Sequence, residues 1–292
     1  PYTMGYDLLN EPWAGPEWPG CLIDGCPSHY TAELQPAYTR AAAAIRAVDP
    51  HGIVWFEPQQ FAGGQSVPIH FGPVPGESRL GYSLHNYCPE VFLESQGLPH
   101  DIARCADFSD ERNRAALAQA DRMGAVGLMS EFGATDNLTA LAIDTAVADR
   151  HLTGWMHWAY KTWRDPTTAD RAQGLFTDDA DLGSAEPAKL RTLVRTYPQA
   201  TAGVPVALSF DPATGDFSYT YRPADLGVPT EIFIGPLHDP DGYDITVTGG
   251  RITGDAPHHR TLIEATGAAA VTVTIRASWP ANGSCRRRAA CS

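Results

Sequence analysis

From the N-terminus to about residue 197, short apolar runs alternate with alanine-rich amphipathic ones, and the apolar runs end on polar residues or strand breakers. This alternation predicts βα units, and strands joined through crossover helices line up in parallel. The predicted strands are residues 4–10, 53–57, 80–86, 126–131 and 154–159. Helices are predicted at 31–48, 110–123, 139–151 and 186–196. The stretch "SEFGATDNLTALAIDTAVADRH" shows one such transition: a strand ends, a glycine-containing turn follows, and helical spacing begins at Leu138, Leu141 and Ile143. Beyond "TYPQATAGVP" the pattern changes to period-two alternation. "SFDPATGDFSYTYRP", "YDITVTGGRITG" and "AVTVTIRA" read as antiparallel hairpins of a small β-sandwich. The expected organisation is therefore an α/β part at 1–197, a sandwich at 201–280 and a tail at 281–292.

The polar residues stand at the predicted C-terminal ends of strands: Asn10 and Glu11, Glu57, His85 with Tyr87, Glu131, and Trp158. In a (β/α)₈ barrel that is the face on which catalytic groups converge. An open doubly wound sheet would ordinarily carry a glycine-rich phosphate loop, and the chain contains no GxGxxG or Walker-type stretch. Five strands are too few to close a barrel. The expected fold is therefore the C-terminal part of a (β/α)₈ TIM barrel, about strands 4 to 8, followed by the sandwich.

Composition excludes several classes of function. A net charge of −13 over 292 residues, with one short basic cluster at Arg286, Arg287 and Arg288, offers no face for a nucleic-acid backbone. No run reaches the roughly 18 to 20 apolar residues of a membrane helix. The six cysteines fall into local pairs: Cys21 with Cys26, Cys88 with Cys105, and Cys285 with Cys291. None has CxxC spacing, and the even count suits a secreted, disulfide-bearing protein; six buried thiols in a cytosolic protein are the alternative. No metal or organic cofactor is expected, because His and Cys lack ligand spacing.

The chemistry rests on Glu11 in "LLNEPW" and Glu131 in "LMSEFG", each ending an apolar strand just before a residue that stops it. One glutamate in such a place is ordinarily solvated or ion-paired. Two, projecting from separate strands into one mouth, are what glycoside hydrolysis requires: one protonates the leaving oxygen, and the other meets the oxocarbenium-like centre.

"GYDLLNEPW" and "SEFGA", with "LHNYCP", "GWMHWAYK" and "YPQATAGVPVALSFDPATGDFSYTY", resemble the signatures of retaining glycoside hydrolases of family 5, of the bacterial endoglycoceramidase type. The resemblance runs from Pro1 to about residue 277. It implies Glu11 as general acid/base and Glu131 as nucleophile, with Asn10 bonded to the sugar 2-hydroxyl. It further implies His85 lining the sugar subsite, Tyr87 holding Glu131, Trp158 stacking under the sugar and Lys161 reaching a glycan hydroxyl. His85 also reads as a core histidine, and Trp155 and Trp163 divide between packing and sugar contact.

The implied reaction separates oligosaccharide from ceramide, with a glycolipid or oligosaccharide as the partner. Another family 5 substrate, or a glycan-binding fragment without catalysis, is the alternative. A transient contact with a lipid surface or micelle is expected, with the apolar segment 61–75 either facing lipid or packing on "CLIDGCP". Proteins of this type carry three strands ahead of the "NEP" strand, which supply an arginine and a histidine beside the nucleophile. The chain is accordingly expected to be a fragment or to be completed by another segment, and the full-length protein to be a monomer.

Overall fold

The computed structural model describes residues 3–64, 67–162, 173–238, 242–256 and 259–277. Trp163, Cys285, Cys291, the basic cluster and the 281–292 tail lie outside them. The described residues fall into two compact units. The first takes its residues from 1–135, 153–160 and 166–173; the second from 136–152, 161–165 and 174–292.

The first unit is built on a parallel sheet in the order β1 (Gly5–Asp7), β2 (Ile53–Phe56), β3 (Leu80–Asn86), β4 (Val126–Phe132) and β5 (Gly154–Trp155). Strand order follows chain order, as successive βα crossovers in one direction require. β3 is buried along its whole length. Gly81 makes this possible beside β2, because a Cβ there would lie 2.1 Å from the Trp55 ring. Helices Gln35–Arg46 and Cys105–Met123 flank the sheet. They contribute Tyr38, Ala42, Ala116, Ala120 and Met123 to a core that includes Val54, Phe56, Tyr82 and Leu84. Each fully buried large side chain there contributes on the order of 1.5–3 kcal/mol.

Segment 61–75 corrects one side of the sequence expectation. Phe71 and Val74 are core residues, and Ile69 packs against them. His70 Nε2 lies 2.6 Å from the Asp24 carbonyl oxygen. Gly25, at φ +74°, admits the Pro68 carbonyl, which a Cβ would meet at 1.9 Å. Residues 67–75 are therefore fastened at Pro68 and His70 to the turn closed by the Cys21–Cys26 disulfide. A run of apolar residues signals burial or exposure equally, and here Phe71 packs on Tyr30, Tyr38 and Phe56. A second disulfide joins Cys88 and Cys105, so both described pairs are the local ones.

The second unit contains two four-stranded antiparallel sheets. One has the order β10 (Tyr243–Thr248), β13 (Val271–Ala277), β8 (Phe217–Pro223) and β7 (Gly203–Phe210). The other has the order β11 (Gly250–Ala256), β12 (Arg260–Ala265), β9 (Thr230–Phe233) and β6 (Tyr197–Ala200). Alternate residues Phe217, Tyr219 and Tyr221 of β8, and Val271, Val273 and Ile275 of β13, meet Ile232 and Ile263 in an apolar core. The helix Leu138–His151 belongs to this unit too, capped by the Asn137 side chain, which accepts from the Ala140 N–H at 3.0 Å. It supplies Asp149, the buried partner of Arg195.

Candidate active site

The C-terminal ends of the parallel strands bring together the polar residues that the sequence places there. β1 ends at Asp7, and the chain turns so that Glu11 takes φ +43°. Such a backbone is strained for a residue with a Cβ, by about 1–2 kcal/mol. The strained peptide is held from the neighbouring strand: the Glu11 N–H donates to Glu57 Oε1 at 3.0 Å. Glu57 directly follows β2 and is 2% exposed. Its backbone carbonyl accepts from the Tyr38 hydroxyl at 3.2 Å.

β3 contributes His85, buried at the centre of the group. Its Nδ1 lies 2.9 Å from Glu11 Oε1 and 3.3 Å from Glu131 Oε2, and its Nε2 lies 3.3 Å from Glu57 Oε1. One imidazole thus touches three carboxylates. The two bonds at Nδ1 laid end to end bound the separation of the nearer Glu11 and Glu131 oxygens. Retaining glycosidases hold their two carboxyl groups about 5–5.5 Å apart and inverting ones about 6.5–9.5 Å.

Glu131 reaches this position through an irregularity in β4. Leu84 pairs with Met129 and His85 with Glu131, so Ser130 is an extra residue in the ladder. Bulges re-aim side chains in this way. The freed Ser130 hydroxyl lies 2.5 Å from Ser83 Oγ, which itself donates to Asp7 at 2.8 Å. The Tyr87 hydroxyl donates to Glu131 Oε2 at 2.8 Å. Past β5, Trp158 forms a bridge with Gly133 and donates its indole N–H to Gln173 Oε1 at 3.2 Å. The Trp158–Ala159 peptide is cis.

Burial dominates the electrostatics. It pushes Glu57 up to about 8, against the opposing pull of the His85 charge and the Glu11 N–H. It also raises Glu131, where His85 and the Tyr87 hydroxyl act in the opposite direction. For His85, burial works against the charged form. The Glu11 hydrogen bond and the charges of Glu57 and Glu131 outweigh it, and the pKa is raised. Glu11, Glu57 and His85 also lie close enough to ligate one ion.

Of the sequence-predicted residues, Glu11, Glu131, His85 and Tyr87 form one connected cluster, and the core-histidine reading of His85 gives way to a histidine among carboxylates. Asn10 is exposed beside it. Trp155 packs edge-on against Phe132 with ring centroids 5.3 Å apart. Lys161 belongs to the second unit, where its ammonium donates to the Asp179 carbonyl and lies 5.9 Å from the Phe176 ring centroid. The sequence marks Glu57 as a strand-end polar residue but gives no sign of its two bonds into the cluster. It also gives no sign that Trp13, two residues beyond Glu11, stacks on Trp18 with ring centroids 6.3 Å apart, the two being 52% and 41% exposed.

Comparison with known proteins agrees with this geometry. Residues 1–164 match the cellulase (glycosyl hydrolase family 5) domain, and residues 195–276 match the glycoside hydrolase family 5 C-terminal domain. Endoglycoceramidase I of Rhodococcus hoagii is 34% identical over 282 residues, covering 94% of the chain and 54% of that protein. Endo-glycoceramidase II from a Rhodococcus species, solved as a ganglioside GM3 complex, superposes with a TM-score of 0.72 at 24% identity. That match covers 94% of this chain and 59% of the other. Cryptococcus neoformans sterylglucosidase 1 superposes at 0.58 with 16% identity, over 82% and 42% of the two chains. The chain spans about half the length of the curated relatives it matches.

Proposed function

The chain belongs to glycoside hydrolase family 5, a retaining family, and on that premise we propose that Glu131 and Glu11 carry out a double displacement that separates an oligosaccharide from ceramide. Glu131 attacks the anomeric carbon as Glu11 passes its proton to the ceramide oxygen. Glu11 then takes a proton from water, which releases the glycan. The observation that carries this reading is the pair of carboxylates sharing one imidazole nitrogen. The side chain of Glu11 is 38% exposed, as suits a group that must meet a leaving group and then a water, and that of Glu131 is 14% exposed.

Two features support an apolar aglycone. Trp13, two residues after Glu11 in the chain, stacks on Trp18, and both rings are half exposed, which offers an apolar surface for an aglycone. The identity of 34% to a protein named endoglycoceramidase points the same way. A steryl glucoside, whose aglycone is also apolar, is the second reading. Trp158 is assigned to sugar stacking and Asn10 to the 2-hydroxyl. The two disulfides support an oxidising, extracellular setting, and no helix among the described residues is long and apolar enough to cross a membrane.

Products from a ganglioside, a lactosylceramide and a steryl glucoside decide the substrate. Intact glycan plus ceramide is the expected outcome, with the β-anomer formed first by NMR. Release of glucose from the steryl glucoside alone would replace the ceramide reading, and a first-formed α-anomer would refute the double displacement.

A further inference from the structure

Glu57 is the least exposed carboxylate of the cluster and has no part in the two-carboxylate mechanism as written. A carboxyl buried to this degree, with one oxygen lacking a hydrogen-bond partner among the described residues, is costly to keep, so a use for it is expected. Its bonds go to the machinery: Oε1 receives the Glu11 main-chain N–H at 3.0 Å and faces His85 Nε2 at 3.3 Å, and Oε2 is buried without a hydrogen-bond partner among the described residues. We propose that Glu57 is a positioning residue for the reaction, whose Oε1 holds both the strained Glu11 backbone and the Nε2–H tautomer of His85, and so aims the acid/base carboxyl.

The tautomer follows from the partners. With the Glu57 carboxyl ionised, or protonated on Oε2, Oε1 accepts both the Glu11 N–H and an Nε2–H, and we assign the proton of that contact to the imidazole. Nδ1 is then the nitrogen that exchanges a proton with Glu11, 2.9 Å away. In the glycosylation step the Glu11 O–H bond breaks, the leaving oxygen gains that proton as its bond to the anomeric carbon breaks, and Glu131 forms the new bond to that carbon. In the second step Glu11 regains a proton from water. Glu57 gains and loses nothing in either step. Its work is to keep the Glu11 backbone at φ +43° and the ring fixed. A glutamine at 57 retains a carbonyl oxygen at Oε1, and an alanine does not.

The proposal rests on the reading of Glu11 as acid/base, and leaving-group dependence separates the two. On an alkyl β-lactoside, which needs the acid, Glu57→Ala is expected to lower kcat/KM about 100-fold. On 2,4-dinitrophenyl β-lactoside, which leaves without a proton, the expected loss is under about threefold, because acid catalysis contributes little there. Glu57→Gln should stay within about fivefold of the parent on both, as a retained acceptor predicts. Glu11→Gln is run alongside. If it does not spare the dinitrophenyl substrate, Glu11 is not the acid and the proposal falls with that reading. If it does, while Glu57→Ala loses equally on both substrates or on neither, the proposal alone is overturned. Glu57→Gln as impaired as alanine on the alkyl substrate would also overturn it. Independently of how the alanine variant folds, ¹⁵N NMR of His85 in the unsubstituted enzyme should show a protonated Nε2. An unprotonated Nε2 would refute the tautomer assignment.

Discussion

The antiparallel sheets and the C-terminal ends of the parallel strands bury opposite kinds of residue. In the antiparallel sheets the inward positions are Phe217, Tyr219, Tyr221, Ile232, Ile263, Val271, Val273 and Ile275. At the C-terminal ends of the parallel strands the buried positions are Glu57, His85 and Asn86, with Glu131 mostly covered. Apolar burial stabilises by about 25 cal/mol per Å², whereas a buried carboxyl without a full set of partners costs several kcal/mol. The first unit meets that cost from its own apolar layer of Val54, Phe56, Tyr82 and Leu84, which lies along the same strands. The difference teaches where selection for stability gives way to selection for chemistry: at the last residues of each parallel strand.

If that contrast is correct, substitutions in the two places fail differently. The largest effect belongs to the carboxylates. Glu131→Gln and Glu11→Gln should each lower hydrolysis of an unactivated glycoside by about 10³-fold or more while thermal melts show the fold retained. Azide should restore turnover of an activated substrate to the Glu11 variant, as a β-glycosyl azide, and not to the Glu131 variant. The reverse pattern would exchange the roles.

The converse case is Phe217→Ala. Phe217 is fully buried, and its truncation should cost about 3–5 kcal/mol of stability in denaturant unfolding. The kcat of the folded fraction should be unchanged. A loss of kcat at constant stability would break the contrast from the other side.

The cluster's electrostatics give a third test. The folded pKa of Glu57 lies near 8, above its unfolded value, so the folded state holds more protons than the unfolded one through that window. Stability is then greatest below the ordinary glutamate pKa and declines as pH rises toward 8. Raised His85 acts in the same direction, from its unfolded value upward. Glu57→Gln should flatten this decline and gain about 1–3 kcal/mol at pH 7, read as slower hydrogen exchange in β2 and β3. An unchanged slope would show that Glu57 does not titrate in this range.

A smaller effect concerns Tyr87. Its hydroxyl favours the charged form of Glu131, so Tyr87→Phe should move the acid limb of kcat/KM upward by about one pH unit. An unmoved limb would remove Tyr87 from the account.

The sequence makes the framework legible because its signals are local. β2, β3 and β4 end within a residue of the predicted limits, since a polar side chain ends each apolar run. The helix at 138–151 starts where Asn137 can cap it. The candidate carboxylates are legible through strand-end position. What escapes depends on contacts between distant segments. Glu57 meets His85 only once β2 and β3 pair, with Phe56 beside Tyr82. The extra residue at Ser130 has no marker in "LMSEFG". Residues 67–75 look ready for lipid until Phe71 and Val74 enter the core, and it is Trp13 and Trp18 that stay half exposed.

The assignment of the nucleophile is tested most directly by trapping it. A 2-deoxy-2-fluoro-β-lactosyl fluoride slows hydrolysis of the covalent intermediate, so peptide mass spectrometry after brief exposure locates the glycosylated side chain. The account predicts stoichiometric labelling of Glu131, lost in Glu131→Gln and retained in Glu57→Gln. Labelling at Glu11 or Glu57, or turnover without any labelled carboxylate, would contradict it.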